Sequence, residues 1–86
     1  MIDYEVPREN GNMENQDRIE IRPDVMFGKP VIRGTRIPVE LILRKLAAGT
    51  SPEEILRQHP RLKREDLFAA QGFAAAVVAG EDVVFG

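Results

Sequence analysis

The spacing of apolar positions changes once along the chain, from every second residue to every third or fourth, and the change falls at Pro38. Ile2, Tyr4 and Val6 alternate with Asp3 and Glu5, the pattern of an edge strand too short to stand alone. Pro7 through Arg18 is polar and aperiodic, with Asn10-Gly11-Asn12 as a turn signal, and reads as a linker that a partner would have to order. Ile19-Glu20-Ile21-Arg22 alternates again and stops at Pro23-Asp24, a second short strand. Val25, Met26 and Phe27 are expected to add apolar cover. In Gly28 to Val39 the pairs Val31-Ile32 and Arg36-Ile37 are split by Arg33-Gly34-Thr35, where Gly34 can take a positive φ. A tight hairpin is predicted there, with the strand at Ile19 pairing against it. Pro38 then holds its own φ near the helical value while disfavouring α geometry at Ile37, which marks a switch from strand to helix.

From Val39 onward Val39, Ile42, Leu43 and Leu46 share one helical face, opposite Glu40, Arg44 and Lys45, and Gly49 stops the helix. Ser51-Pro52-Glu53-Glu54 carries three agreeing start signals: an N-cap serine, proline at the first position and a glutamate placed to complete a capping box. Ile55 and Leu56 are the core contacts of this short second helix, which Pro60 ends. Leu62 and Leu67 have the spacing of a hydrophobic staple around a third start, although Lys63 stands where a capping side chain is preferred. The third helix is predicted over about Arg64 to Ala79, with Leu67, Ala70, Gln71, Ala74, Ala75 and Val78 inward. Phe68, Ala69, Gly72, Phe73, Ala76 and Val77 leave almost nothing polar on the other side, so that side is expected to meet another chain. Gly80 caps the helix, and Glu81 to Gly86 is a short apolar tail able to pair as an edge strand. The predicted interface is Phe68, Gly72, Phe73, Ala76, Val77, Val84 and Phe85. Three helices, the last two joined by a short turn, make the expected fold mainly α, a helix-turn-helix bundle with a small N-terminal β-hairpin.

Length narrows the picture: 86 residues form at most one domain, with a core so small that a shared apolar face between two copies would help it, hence an expected homodimer. The chain lacks cysteine and any apolar run near the roughly 18 residues that span a bilayer, and its first residues lack the pattern of a secretory signal. A cytoplasmic protein without membrane association is expected. Net charge is −2, but the charge is unevenly spread: residues 1–20 carry six acids and two bases, 21–50 six bases and two acids, and 51–86 four bases and six acids. Positive charge therefore collects in the middle. Lys29, Arg33 and Arg36 on the hairpin, with Arg61, Lys63 and Arg64 at the start of the third helix, are the candidate nucleic-acid contacts. A merely solvated face would also account for the cluster. Because Glu65 and Asp66 follow at once, phosphate contact is expected rather than base reading by the body of that helix.

Catalysis is not expected. His59 is the one histidine and sits at a helix end, without companions for a metal site. Glu53-Glu54 and Glu65-Asp66 fall at helix starts, where negative charge offsets the dipole. No phosphate-cradling loop or nucleophile motif is present, and no cofactor is implied.

Taken together, Ile19-Glu20-Ile21, Gly28-Lys29-Pro30-Val31-Ile32-Arg33-Gly34-Thr35-Arg36-Ile37-Pro38-Val39, Leu46-Ala47-Ala48-Gly49, Ser51-Pro52-Glu53-Glu54-Ile55 and Arg64-Glu65-Asp66-Leu67 resemble the small bacterial domain of unknown function 433. The resemblance covers roughly residues 19–79. It implies a homeodomain-like helical domain with a small β element, often encoded beside a PIN-like toxin and so described as an antitoxin. The sequence departs from the usual pattern at Lys63, where Ser or Thr is commoner, and at Gln71, where a larger aliphatic is typical. Residues 1–18 and 80–86 lie outside the match, as an N-terminal extension and a tail. Two functions are expected from this: an antitoxin-like component that binds a partner protein through its third helix and DNA through its hairpin, or a dimeric interaction module without nucleic acid. Bidentate pairing of Arg33 and Arg36 with internal carboxylates would favour the second.

Overall fold

The structure, a computed structural model, describes residues 17–81. The strand expected at Ile2, most of the linker and the apolar tail lie outside those residues. Strand β1 (Ile19–Ile21) pairs antiparallel with β2 (Pro30–Ile32), Ile19 opposite Ile32 and Ile21 opposite Pro30. The predicted hairpin is present as a single bridge between Val31 and Pro38. Ile32 N–H donates to the Ile37 carbonyl (3.0 Å) and Thr35 N–H to the Ile32 carbonyl (3.0 Å), with Gly34 at φ +80°. The Thr35 hydroxyl closes the turn from inside, donating to the Ile32 carbonyl (2.7 Å) and accepting from Ile37 N–H (3.0 Å). A side chain thus satisfies backbone groups that a one-bridge hairpin leaves open.

Pro38 is the last extended residue (φ −71°, ψ 145°) before helix α1 (Val39–Ala47). Val39 and Ile42 are buried, Leu43 and Leu46 pack beside them, and Gly49 ends the helix at φ +91°. Helix α2 (Pro52–Gln58) starts as its sequence predicts, Ser51 Oγ accepting from Glu54 N–H (3.1 Å). The Glu54 carboxylate does not complete the box; it serves Gln58 (3.0 Å) and Arg57 one turn on. Helix α3 (Arg64–Ala79) ends at Gly80, φ +77°, with Glu81 N–H returned to the Ala76 carbonyl (2.9 Å). The three helices and the β pair enclose one core of Ile19, Ile32, Val39, Ile42, Ile55, Leu62, Leu67, Ala69 and Ala70. No helix among the described residues is long and apolar enough to cross a membrane. The expected architecture, mainly α with a helix-turn-helix and a small β element, is the one observed.

Two local readings are corrected. First, α3 is rotated from its predicted phase: Asp66, Leu67, Ala69, Ala70 and Ala76 are buried and Phe73 packs on the core, whereas Gln71, Ala75 and Val78 face outward, Val78 at 87% exposure. The cause is that Leu67 to Ala79 contains no charge to mark an outer side, so apolar spacing has no unique phase. The phase comes from Asp66, which points inward; Ala69, Ala70, Phe73 and Ala76 follow it at helical spacing. Second, Phe27 is not cover for the core. Met26, Phe27 and Gly28 form a left-handed turn (φ 49°, 58° and 81°), closed by Gly28 N–H to the Val25 carbonyl (3.1 Å), and Phe27 stands 98% exposed. Val25 alone of that trio is buried.

Candidate functional site

The hairpin tip and the turn between α2 and α3 form one surface because Arg61 Nη2 donates to the Gly34 carbonyl (2.9 Å). This contact joins residues 27 positions apart and places Arg61 beside the loop that carries Arg33 and Arg36. The tip is also fixed from its other side, Arg33 N–H donating to the Arg18 carbonyl (2.8 Å) and Arg33 Nε to the Asp17 carbonyl (2.6 Å). The chain therefore enters its described part against this surface.

The six candidate cations are not equivalent. Arg33 Nη1 lies 3.4 Å from Glu20 Oε1. Arg36 is exposed and has no hydrogen bond or ion pair among the described residues. Lys63 is exposed at the N-cap of α3. Arg64 Nη2 meets Glu53 Oε2 (3.3 Å), whose carboxyl is held below its ordinary value, first by its own backbone N–H and then by Arg64. Lys29 is tied to α1, its Nζ 3.1 Å from Glu40 Oε1, while Arg44 Nε takes Glu40 Oε2 at 2.9 Å. Hydrogen bonding to Lys29 and then to Arg44 lowers the Glu40 pKa. Both carboxylates stay ionised at neutral pH and offset part of the positive field, leaving Arg36, Arg61 and Lys63 as the candidate cations without an acidic partner among the described residues.

Under this surface lies an arrangement that sequence reasoning missed. Asp66, the one buried charged side chain among the described residues, accepts from Arg18 Nη1 (3.0 Å) through Oδ1 and from Lys63 N–H (2.9 Å) through Oδ2. The second bond is the N3 half of a capping box; the other half, a side-chain acceptor at the N-cap, is one Lys63 cannot provide, and Asp66 N–H donates to the Lys63 carbonyl instead (2.9 Å). Sequence spacing contains half of this, an acid three residues after the N-cap; the Arg18 contact spans 48 positions and leaves no local signal. His59 sits at the C-cap of α2, its N–H on the Ile55 carbonyl (3.0 Å).

Of the residues expected to meet a partner, Phe68 and Val77 are each 55% exposed and Gly72 is half-buried. Phe73 is partly buried against the chain's own core and Ala76 is buried. Val84 and Phe85 lie outside the described residues. The outer side of α3 is instead Phe68, Gln71, Ala75 and Val78, repeating at three and four residues, the spacing of a helix that packs against another helix.

Comparison with known proteins agrees with this architecture. The chain is 42% identical over 65 residues to the uncharacterized protein y4eO of Sinorhizobium fredii, a match that takes in 74% of this chain but 29% of that longer protein. The crystal structure of a DUF433 member protein from Anabaena variabilis ATCC 29413 superposes with a TM-score of 0.69 at 34% identity, covering 79% of this chain and 67% of that one. A family described as protein of unknown function (DUF433) matches residues 19–74, well over half the chain, and this protein is a member of it.

Proposed function

We propose that this protein is a non-catalytic, antitoxin-like component that grips a partner protein with the outer side of α3 and nucleic-acid phosphates with its hairpin tip and α2–α3 turn. The observation that carries the reading is the Arg61 to Gly34 contact, which makes one surface of cations from two separate stretches and leaves Arg36 unspent among the described residues. Backbone phosphate contact suits this surface better than base reading, because Glu65 and the buried Asp66 deny the first turn of α3 a row of donors. The exposed Phe68, Val77 and Val78 support a second macromolecule on α3, either another copy or a toxin of the PIN-like kind that the family resemblance implies.

The test is the salt dependence of binding to a short DNA duplex. Each lost phosphate contact reduces the slope of log K against log salt by about 0.9, so Arg36→Ala and Arg61→Ala should each flatten it by about that much. Affinity that ignores both substitutions, or no binding at low salt, removes the nucleic-acid half. A second reading, a dimeric interaction module without nucleic acid, is favoured by the internal pairs Lys29–Glu40, Arg33–Glu20 and Arg64–Glu53. It predicts that absence of binding together with an intact α3 interface.

A further inference from the structure

Four hydrogen bonds close a ring beneath the cation surface. Arg18 Nη1 donates to Asp66 Oδ1 (3.0 Å), Asp66 Oδ2 accepts from Lys63 N–H (2.9 Å), Arg61 Nη2 donates to the Gly34 carbonyl (2.9 Å), and Arg33 N–H returns to the Arg18 carbonyl (2.8 Å). The short backbone runs 61–63 and 33–34 complete the circuit. Arg18 is engaged at both ends: its carbonyl takes the hairpin tip and its guanidinium takes α3, so it fixes the tip relative to the α2–α3 turn. Arg61 and Lys63 are members of the ring and Arg36 stands two residues beyond Gly34, whereas the charge of Arg18 is turned onto the buried Asp66. We infer that Arg18 is a positioning residue for phosphate, holding Arg36, Arg61 and Lys63 in one fixed arrangement without touching the ligand itself. Ordering side chains and loops at the moment of binding costs affinity, and a surface ordered in advance avoids that cost. Without the guanidinium, the start of β1 and the tip it carries lose their anchor on α3, and the exposed bond from Arg61 to Gly34 is the tie the ring keeps between tip and turn. Gly34 to Arg36 must then be ordered anew at each binding event. Counterion release counts the cations that meet phosphate, so losing a positioning residue lowers affinity and leaves the salt slope as it was.

The inference rests on the nucleic-acid half of the proposed function, and its test separates the two. The full chain is compared with Arg18→Met and Arg18→Lys, circular dichroism verifying that all three are folded, by two readouts. The first, without DNA, is the backbone amide order parameter at Gly34, Thr35 and Arg36; the second is affinity for a random-sequence duplex across a salt series. Expected in Arg18→Met are order parameters that fall at the tip from about 0.85 while those of α1 stay unchanged, a motion that loss of global stability does not produce. Duplex affinity should drop ~2- to 10-fold with the slope of log K against log salt unaltered. Arg18→Lys, which keeps a charged donor for Asp66, should recover part of both. A slope flattened by about 0.9 in Arg18→Met would make Arg18 a phosphate contact itself and overturn the inference. Duplex binding by the wild type that Arg18→Met leaves unchanged, or that weakens without loosening of the tip, also overturns it, and the nucleic-acid reading stands. An Arg18→Lys no better than Arg18→Met would refute the route through Asp66. Absence of duplex binding by the wild type at low salt removes the nucleic-acid reading and the positioning role with it.

Discussion

Removing the charge of Asp66 tests how α3 is held. In Asp66→Asn the side chain keeps its shape but presents one oxygen to two donors, Arg18 Nη1 and Lys63 N–H, so one of them faces an amide NH₂. A hydrogen bond to a charged group contributes about 1.5–3 kcal/mol, and the Arg18 side chain is 38% exposed, which places its share at the low end. The loss of one bond and weakening of the other should cost about 2–3 kcal/mol, a large fraction of the stability available to so small a domain. At about 4–8 °C per kcal/mol, Tm should fall by roughly 8–24 °C. Urea denaturation gives the free energy directly from the midpoint at constant m. Arg18→Met should cost about 1–2 kcal/mol, and the double variant less than the sum, because the two changes remove one shared contact. Additive effects, or a loss below about 0.5 kcal/mol in Asp66→Asn, would show that this contact does not anchor the helix.

Three further outcomes follow from single residues. Gly34→Ala should destabilise by about 1–2 kcal/mol in the same denaturation assay, since a Cβ there meets nothing within 4 Å and the penalty is the φ of +80° alone. Phe27→Gly should leave stability unchanged or raise it by up to about 1 kcal/mol, because it relieves a left-handed φ at an exposed position; a clear loss would mean the ring packs on something. The Glu40 pKa is lower folded than its ordinary 4.5, so its contribution is present above that value and lost as pH falls through the folded pKa. Glu40→Gln should therefore flatten the pH dependence of stability on the acid side of 4.5 and leave its shape at neutral pH unchanged.

What the sequence made legible was local. Gly34, Pro38, Gly49, Ser51 and Gly80 each act through their own backbone or the next few residues, and every boundary they mark is where the structure has it. The pairing of β1 with β2 was also readable, because alternation and turn chemistry agree. Helix α3 was readable in extent but not in rotation: alanines and valines on all sides fit any phase, and the choice falls to Asp66 and its distant arginine. The cation surface was half legible. Its residues were identifiable by charge, but only the Arg61 to Gly34 contact joins the two stretches, and only the structure shows that Lys29 and Arg64 are engaged by Glu40 and Glu53. Phe27 was misassigned because an apolar triplet beside a strand resembles core, and nothing local announces a left-handed turn except Gly28.

The rotation of α3 changes which substitution probes its partner. Phe73→Asp, the choice that apolar pattern alone nominates, would put a charge against the core and unfold the domain, whereas Val78→Asp alters a side chain already in solvent. The most direct measurement is sedimentation equilibrium of the full chain and of Val78→Asp, with circular dichroism to verify that both remain folded. The account predicts a wild-type mass of two chains, or of one chain with its protein partner, and a shift to the single-chain mass in the variant. A wild-type protein that stays at the single-chain mass, alone and with that partner, would contradict it.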